Sequence, residues 1–219
     1  MRLKRYLKED GNIDSIIDNL KKDCKPFLDQ VKNSFFYRGY KGDFVKDIKK
    51  VKSRIDRRPS DTIIDVHNTL DDLFKKKFGW KARSEGVFAT GSEYQACQYG
   101  ISYLFFPIAK FNFIWSLDII DLYIKISKDN FNGAYSVTRG EYKYDKDKKE
   151  FITFEEWKQE KFEEHNKKQE EFFNKLAKLY SKTNLNKAMK SGHEVMFKCK
   201  EYYLVNTSLK KYLLKELWK

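Results

Sequence analysis

Apolar residues recur along this chain with two periods, and the changes of period predict its elements. Ile13, Ile16, Ile17, Leu20, Cys24, Phe27, Leu28 and Val31 follow helical spacing. Pro26 interrupts them, which predicts two short helices or one kinked helix. SFFYRG is too short and too aromatic for a helix, and Gly39 marks its end, so it reads as a strand. VKDIKKVKSRIDRRP is basic and predicts a strand and loop running into Pro59. A helix is expected from Ser60-Asp61, with Ile63, Ile64, His67, Leu70, Leu73, Phe74 and Phe78 on one face and Gly79 closing it.

GVFAT predicts the next strand, and GSEYQACQYG a short helix with Gly91-Ser92 at its start. SYLFFPIAKFNFIWS reads as two strands around Pro107 or one long bent strand, and LDIIDLYIKIS as helical. From Phe154 to Tyr180 the chain is rich in Glu, Lys and Gln, with Phe162, Phe172, Phe173, Leu176 and Leu179 recurring. That pattern predicts a long, largely solvated helix. EVMFKCK and EYYLVN alternate as two strands with Lys200-Glu201 between them, the spacing of a hairpin. The tail TSLKKYLLKELWK predicts a basic amphipathic helix, with Leu209, Tyr212, Leu213, Leu217 and Trp218 on the stripe that docks onto the core.

The expected fold is α+β, a mixed or antiparallel sheet core with flanking helices and one long charged helix. A single domain is expected over 1–219, with a helical part at 1–33, a core at 34–206 and a terminal helix at 207–219. Hydrophobic residues make up 41% of the chain and aromatics 16%, enough for a sizeable core. The formal charge is +13, which attracts polyanions such as nucleic acid. A lysine-rich, AT-biased coding sequence accounts for the same excess. Cys24, Cys97 and Cys199 are widely spaced and odd in number, which reads as reduced thiols and not as a disulfide framework. The opening MRLKRYLKEDGNID lacks the apolar run of a signal peptide, and no stretch approaches ~18 uninterrupted apolar residues. A cytoplasmic chain with no membrane partner is therefore expected.

Chemistry concentrates at three places. Arg38 ends a strand where Gly39 permits a turn and close approach, and a guanidinium there can fork onto phosphate. Thr90 and Ser92 offer hydroxyls around Gly91 on a strand-to-helix turn, the kind of place that presents donors to anions or ribose. Glu194 begins a strand, where a carboxylate can stabilise positive charge developing at an anomeric carbon. Each has a plainer role open to it: surface arginine, helix cap, solvated strand-start glutamate. His67 reads as a satisfied core histidine. Three scattered histidines and no acidic cluster argue against a metal, and there is no P-loop or GxGxxG. Lys49, Lys50, Arg54, Arg57 and Arg58 crowd the segment after the Arg38 strand, flanked by Tyr37, Tyr40 and Phe44. Such a stretch suits a nucleic-acid acceptor.

The order Arg38 in FFYRGY, Thr90 and Ser92 in FATGS, then Glu194 in HEVMFKCKEYYLV resembles the Arg–Ser/Thr–Glu pattern of the mono-ADP-ribosyltransferases. In that family an arginine closes the first core strand, a Ser-Thr-Ser-like segment ends the second, and a glutamate opens a later strand. The resemblance implies NAD as substrate and no metal. It implies that Arg38, with Gly39, holds the NAD phosphates or ribose, that Thr90 or Ser92 braces the nicotinamide ribose, and that Glu194 is catalytic. Tyr37, Tyr94 and Tyr99 are the rings placed to pack on the nicotinamide, and His193 is placed to assist the acceptor, a nucleic acid or a host protein. The chain departs from the pattern at Ala89-Thr90-Gly91-Ser92, and at Gly192, where protein-modifying members often carry Gln or Glu. RRPSDTIIDVHNTLDDLF and FPIAKFNFIWS resemble proteins of tailed bacteriophages, which implies a phage or toxin-type effector working in a host cytoplasm. The alternative is a non-catalytic basic nucleic-acid-binding protein.

Overall fold

The computed structural model describes residues 13–58, 62–128, 143–145, 150–152 and 154–219. The expected helix start at Ser60-Asp61 and the first twelve residues lie outside them. Helices α1 (Ile13–Asp23) and α2 (Lys25–Val31) follow each other directly, with Pro26 in the first turn of α2, where a missing N–H costs nothing. Strands β1 (Phe36–Tyr40) and β2 (Ile48–Lys52) come next, then α3 (Ile64–Phe78), which ends at Gly79 with φ +84°. The buried face of α3 is Val66, His67, Leu70, Asp71 and Phe74; Ile63 and Ile64, expected on that face, are exposed.

A short helix α4 (Ala82–Glu85), strand β3 (Val87–Thr90) and helix α5 (Glu93–Cys97) lead to β4 (Ile101–Pro107) and β5 (Asn112–Ser116). Helix α6 (Leu122–Lys128) covers only the second half of the expected helix, because Asp121 caps it by accepting from the Ile124 N–H at 3.0 Å. Strands β6 (Lys143–Asp145) and β7 (Glu150–Ile152) form a separate two-stranded ladder. Then come the long helix α7 (Phe154–Lys178), β8 (Tyr180–Ser181), α8 (Leu185–Ser191), β9 (Glu194–Lys198) and β10 (Glu201–Asn206). The chain closes with a 3₁₀ turn, Thr207–Leu209, and α9 (Lys210–Glu216).

Eight strands form one antiparallel sheet in the order β2-β10-β4-β1-β3-β9-β5-β8. The hairpin spacing at Lys200-Glu201 is misleading. β9 pairs with β3 and β5, whereas β10 pairs with β2 and β4. In a flat sheet these two strands would lie four spacings apart, roughly 19 Å. The three residue steps from Lys198 to Glu201 reach only about 11 Å. The sheet is therefore folded over on itself, and ring contacts show where. Phe197 of β9 lies 5.0 Å from Phe36 of β1 and 5.0 Å from Phe105 of β4 between ring centroids. The fold falls between β1 and β3, which share one registered pair, Tyr37↔Thr90.

The space between the halves is filled by Phe27, Phe36, Phe105 and Phe197, with α1, α2, α8 and α9 packed around it. A second core lies behind β9 and β5, where Ile114 and Met196 meet Phe74 of α3, Ile126 of α6 and Phe173 and Leu176 of α7. β9 thus buries Val195 and Phe197 on one side and Met196 on the other, which is why it reads as an unbroken apolar run. Lys77 of α3 caps the end of α7, its Nζ donating to the carbonyls of Ala177, Lys178 and Tyr180 at 3.0, 2.9 and 2.8 Å. α9 docks as expected, with Trp218 Nε1 donating to the Leu28 carbonyl at 3.1 Å. Among the described residues no helix is long and apolar enough to cross a membrane.

Phe197 is fully buried between the two halves. Phe197→Ala should cost about 3–5 kcal/mol, read as a lower midpoint in chemical denaturation with the slope unchanged.

Candidate active site

The single β1–β3 pair leaves the two strands free to part beyond Tyr37, and a cavity of about 390 Å³ opens there. Arg38, Gly39 and Tyr40 of β1 line one wall, and Phe88, Ala89 and Thr90 of β3 face them. Gln95, Ala96, Tyr99, Ile120, Asp121 and Glu194 belong to the same lining, with the cations Lys41 and Arg57. Arg38, Thr90 and Glu194, separated by more than 150 residues of chain, thus share one cavity.

Arg38 spans the parting strands from the middle of β1 and not, as expected, from its end, because the ladder to β4 runs on through Gly39 and Tyr40. Its Nη1 donates to the Phe88 carbonyl at 2.6 Å, and its guanidinium carbon lies 5.6 Å from the centre of the Tyr202 ring. Its Nε is buried with no hydrogen-bond partner among the described residues. Gly39 is needed for a reason other than ligand approach: a Cβ there would meet the Ala96 carbonyl at 2.3 Å, so glycine lets α5 lie against β1.

Thr90 and Glu194 are direct partners across β3 and β9. The Thr90 hydroxyl donates to the Gly192 carbonyl, and the Ser92 N–H donates to Thr90 Oγ1 at 3.1 Å. Thr90 therefore locks the turn that delivers Glu194. Ser92 stands outside the cavity lining and caps α5, accepting from the Gln95 N–H at 3.3 Å. Two glycines make this geometry possible. A Cβ on Gly91 would fall 1.7 Å from the Met189 carbonyl, and Gly192 ends α8 with φ +71°. Both departures from the family pattern thus have a backbone cause.

The Glu194 carboxyl is enclosed by protein although the residue keeps some surface toward the cleft. Its backbone N–H donates to the Ile120 carbonyl at 2.9 Å. Burial and the neighbouring Asp121 push its pKa up to about 8, against the pull of Arg83, Arg57 and a hydrogen bond from the Leu122 N–H. Oε1 has no partner among the described residues. Of the buried side-chain atoms in that condition, only Arg38 Nε and Glu194 Oε1 belong to residues lining the cavity.

Arg57, expected beside the acceptor, lines the cavity itself. Its guanidinium stacks 4.0 Å above the centre of the Phe88 ring. Burial, and then repulsion from Arg38, lower its pKa to about 10. The other basic candidates lie outside the lining. Lys50 pairs with Glu201 at 2.8 Å, Lys49 donates to the Tyr40 hydroxyl at 3.3 Å, and Arg54 lies 3.8 Å from Asp56; Arg58 is exposed. His193 also lies outside, with Nδ1 3.1 Å from the Ser116 carbonyl. Tyr37 and Tyr99 line the cavity and Tyr94 does not.

Three contributors escaped the sequence reading. Asp121 lines the cavity and accepts a short hydrogen bond from the Tyr99 hydroxyl; its signal was an Asp placed before an apolar helical run. Phe88 supplies a ring to Arg57 and a carbonyl to Arg38. Behind them Arg83 is buried, its Nε donating to His67 Nδ1 at 3.3 Å and its N–H to Asp71 at 2.7 Å. His67 Nε2 lies 2.9 Å from the Ser84 hydroxyl, which itself donates to Asp71. Because Arg83 occupies Nδ1 and Asp71 receives the Ser84 proton, this Ser–His–Asp group is a closed support and not a nucleophile. No cluster fit for a metal occurs among the described residues.

The raised Glu194 pKa fixes a sign. Between its unfolded value of 4.5 and about 8 the folded chain holds a proton that the unfolded chain has released. Stability therefore falls as pH rises through that window. Glu194→Gln should unfold close to the native chain at pH 5 and progressively above it toward pH 8. The expected gain is about 2–4 °C in Tm for each kcal/mol recovered, followed by thermal melts across the range. Comparison with known families, curated proteins and solved structures finds no match, so the functional reading rests on the chain's own residues.

Proposed function

We propose that the chain is an NAD-consuming mono-ADP-ribosyltransferase with an ADP-ribosyltransferase-like sheet core. One observation carries the reading: two buried polar atoms, Arg38 Nε and Glu194 Oε1, stand without partners among the described residues, and both belong to residues that line one cavity. Each costs on the order of 1–3 kcal/mol unless something bonds to it. A ligand with an anionic middle and a cationic end that carries hydroxyl donors satisfies both. NAD has that character, with its diphosphate beside Arg38 and Arg57 and its nicotinamide cation beside Glu194 and Asp121.

In this reading the guanidiniums hold the diphosphate, and Phe88 keeps them apart by offering its ring to one and its carbonyl to the other. The positive ring adds to the pull of Arg83 and Arg57 and favours the ionised form of Glu194, whose proton those two alone leave in place up to about pH 8. The carboxylate then stabilises the oxocarbenium-like state formed as the glycosidic bond breaks. Nicotinamide leaves neutral with the bonding electron pair. The acceptor's nucleophile forms the new bond to the anomeric carbon and gives up its proton to water. Thr90 acts by holding the Gly192 carbonyl and hence the start of β9. No step calls for a metal.

Labelled NAD incubated with the purified chain and macromolecular acceptors tests the reading. The native chain should release nicotinamide and transfer label. Glu194→Gln should bind NAD within a few-fold of native yet lose at least about 10²-fold in turnover. Equal turnover in that variant overturns the assignment of Glu194 as the catalytic carboxylate, and no release by the native chain overturns the enzyme in favour of a binding protein. Arg57→Ala should raise KM about tenfold or more, the worth of a charged hydrogen bond. For the native chain kcat/KM should climb with pH and level off above about 8, because that ratio reports the free enzyme.

A further inference from the structure

The segment between β5 and α6 carries an exposed apolar shelf at the mouth of the cavity. Residues 117–124 read Leu-Asp-Ile-Ile-Asp-Leu-Tyr-Ile. Leu117, Ile120, Tyr123 and Ile124 are 49%, 54%, 40% and 47% exposed. The shelf is not loose, since Ile119, Leu122 and Ile126 anchor it in the second core. It is also tied to the proposed catalytic carboxylate on both sides. The Ile120 carbonyl accepts the Glu194 N–H at 2.9 Å, and the Leu122 N–H donates to the Glu194 side chain. Ile120 and Ile124 reach the cavity lining, whereas Leu117 and Tyr123 lie outside it.

Charge decides what such a surface can receive. In a chain of net charge +13, residues 117–124 hold two carboxylates, Asp118 and Asp121, and no cation. Nucleic-acid binding draws its affinity from cations against phosphate, and the shelf offers none before Lys125. Clustered aliphatic and aromatic side chains beside carboxylates suit a protein segment that offers an apolar anchor flanked by Lys or Arg. Resting on the transferase reading above, we infer that the acceptor is a protein, docked by an apolar, basic segment on the Leu117–Ile124 shelf with its nucleophile directed past Ile120 toward Glu194. This replaces the nucleic-acid acceptor that the basic stretch around Lys49 and Arg58 favours.

The test compares the native chain with a double variant, Leu117→Asp with Tyr123→Asp, outside the cavity lining. Each is incubated with labelled NAD and, separately, total cell protein freed of nucleic acid, purified DNA and purified RNA. The expected result is label in protein alone from the native chain. In the variant, nicotinamide release without acceptor should be unchanged while protein labelling falls about tenfold or more, the effect of losing a buried anchor. Label in DNA or RNA, or full protein labelling by the variant, overturns the docking surface and leaves the transferase standing. A native dimer that the variant abolishes in sedimentation also overturns it, by assigning the shelf to a second copy. No nicotinamide release by the native chain overturns both.

Discussion

Everything at the candidate site depends on how β1 leaves β3. Backbone pairing between them is confined to Tyr37↔Thr90, and one residue further on the Arg38 side chain takes over, donating to the Phe88 carbonyl. A continuous ladder here would hold the sheet flat and close the cavity. A complete break would leave β3 polar groups unpaired and let the halves drift apart. The side-chain bond does neither. It allows the two halves to turn face to face over Phe36, Phe105 and Phe197 while holding the cavity walls at a fixed separation.

The site's electrostatics follow from that arrangement. Arg38 and Arg57 bring cations to the cavity lining, and Glu194 and Asp121 bring carboxylates, so the lining carries both signs. Arg83 is buried, its Nε held by His67 and its Nη2 by Thr62, while Asp71 accepts its backbone N–H and fixes its place. Burial raises the cost of each charge, and fixed opposite charges lower it again. Such a site is preorganised for a ligand that carries both signs.

Local pattern made most of the elements legible. Pro26, the aromatic run at Phe35–Tyr37 and the cap at Ser92 act within a few residues of themselves, and the structure follows them. Long-range pairing was not legible. Nothing near Lys200 announces that β9 and β10 part company, because the cause is Phe197 packing against rings about 90 and 160 residues earlier. The same limit applies to the site. Thr90 and Glu194 could be picked out because each sits at a strand end; Arg38 was picked out on the same ground, but it stands in the middle of β1. Asp121 and Arg57 could not be placed, since only the folded sheet brings them to the cavity. Ser92, chosen for its hydroxyl, caps a helix, the more frequent use of a serine there.

The position of β9 also bears on when the cavity is complete. Its partners in the sheet are β3 and β5, and the Thr90 hydroxyl that secures its first residue reaches across 102 positions of sequence. Such topologies pay a high entropy of loop closure before their contacts form, and they fold slowly. A ribosome-bound chain that has emerged only as far as α8 possesses both guanidiniums and Thr90 but lacks the strand bearing Glu194. Synthesis therefore leaves the cavity without its carboxylate until β9 is made, a timing set by topology alone.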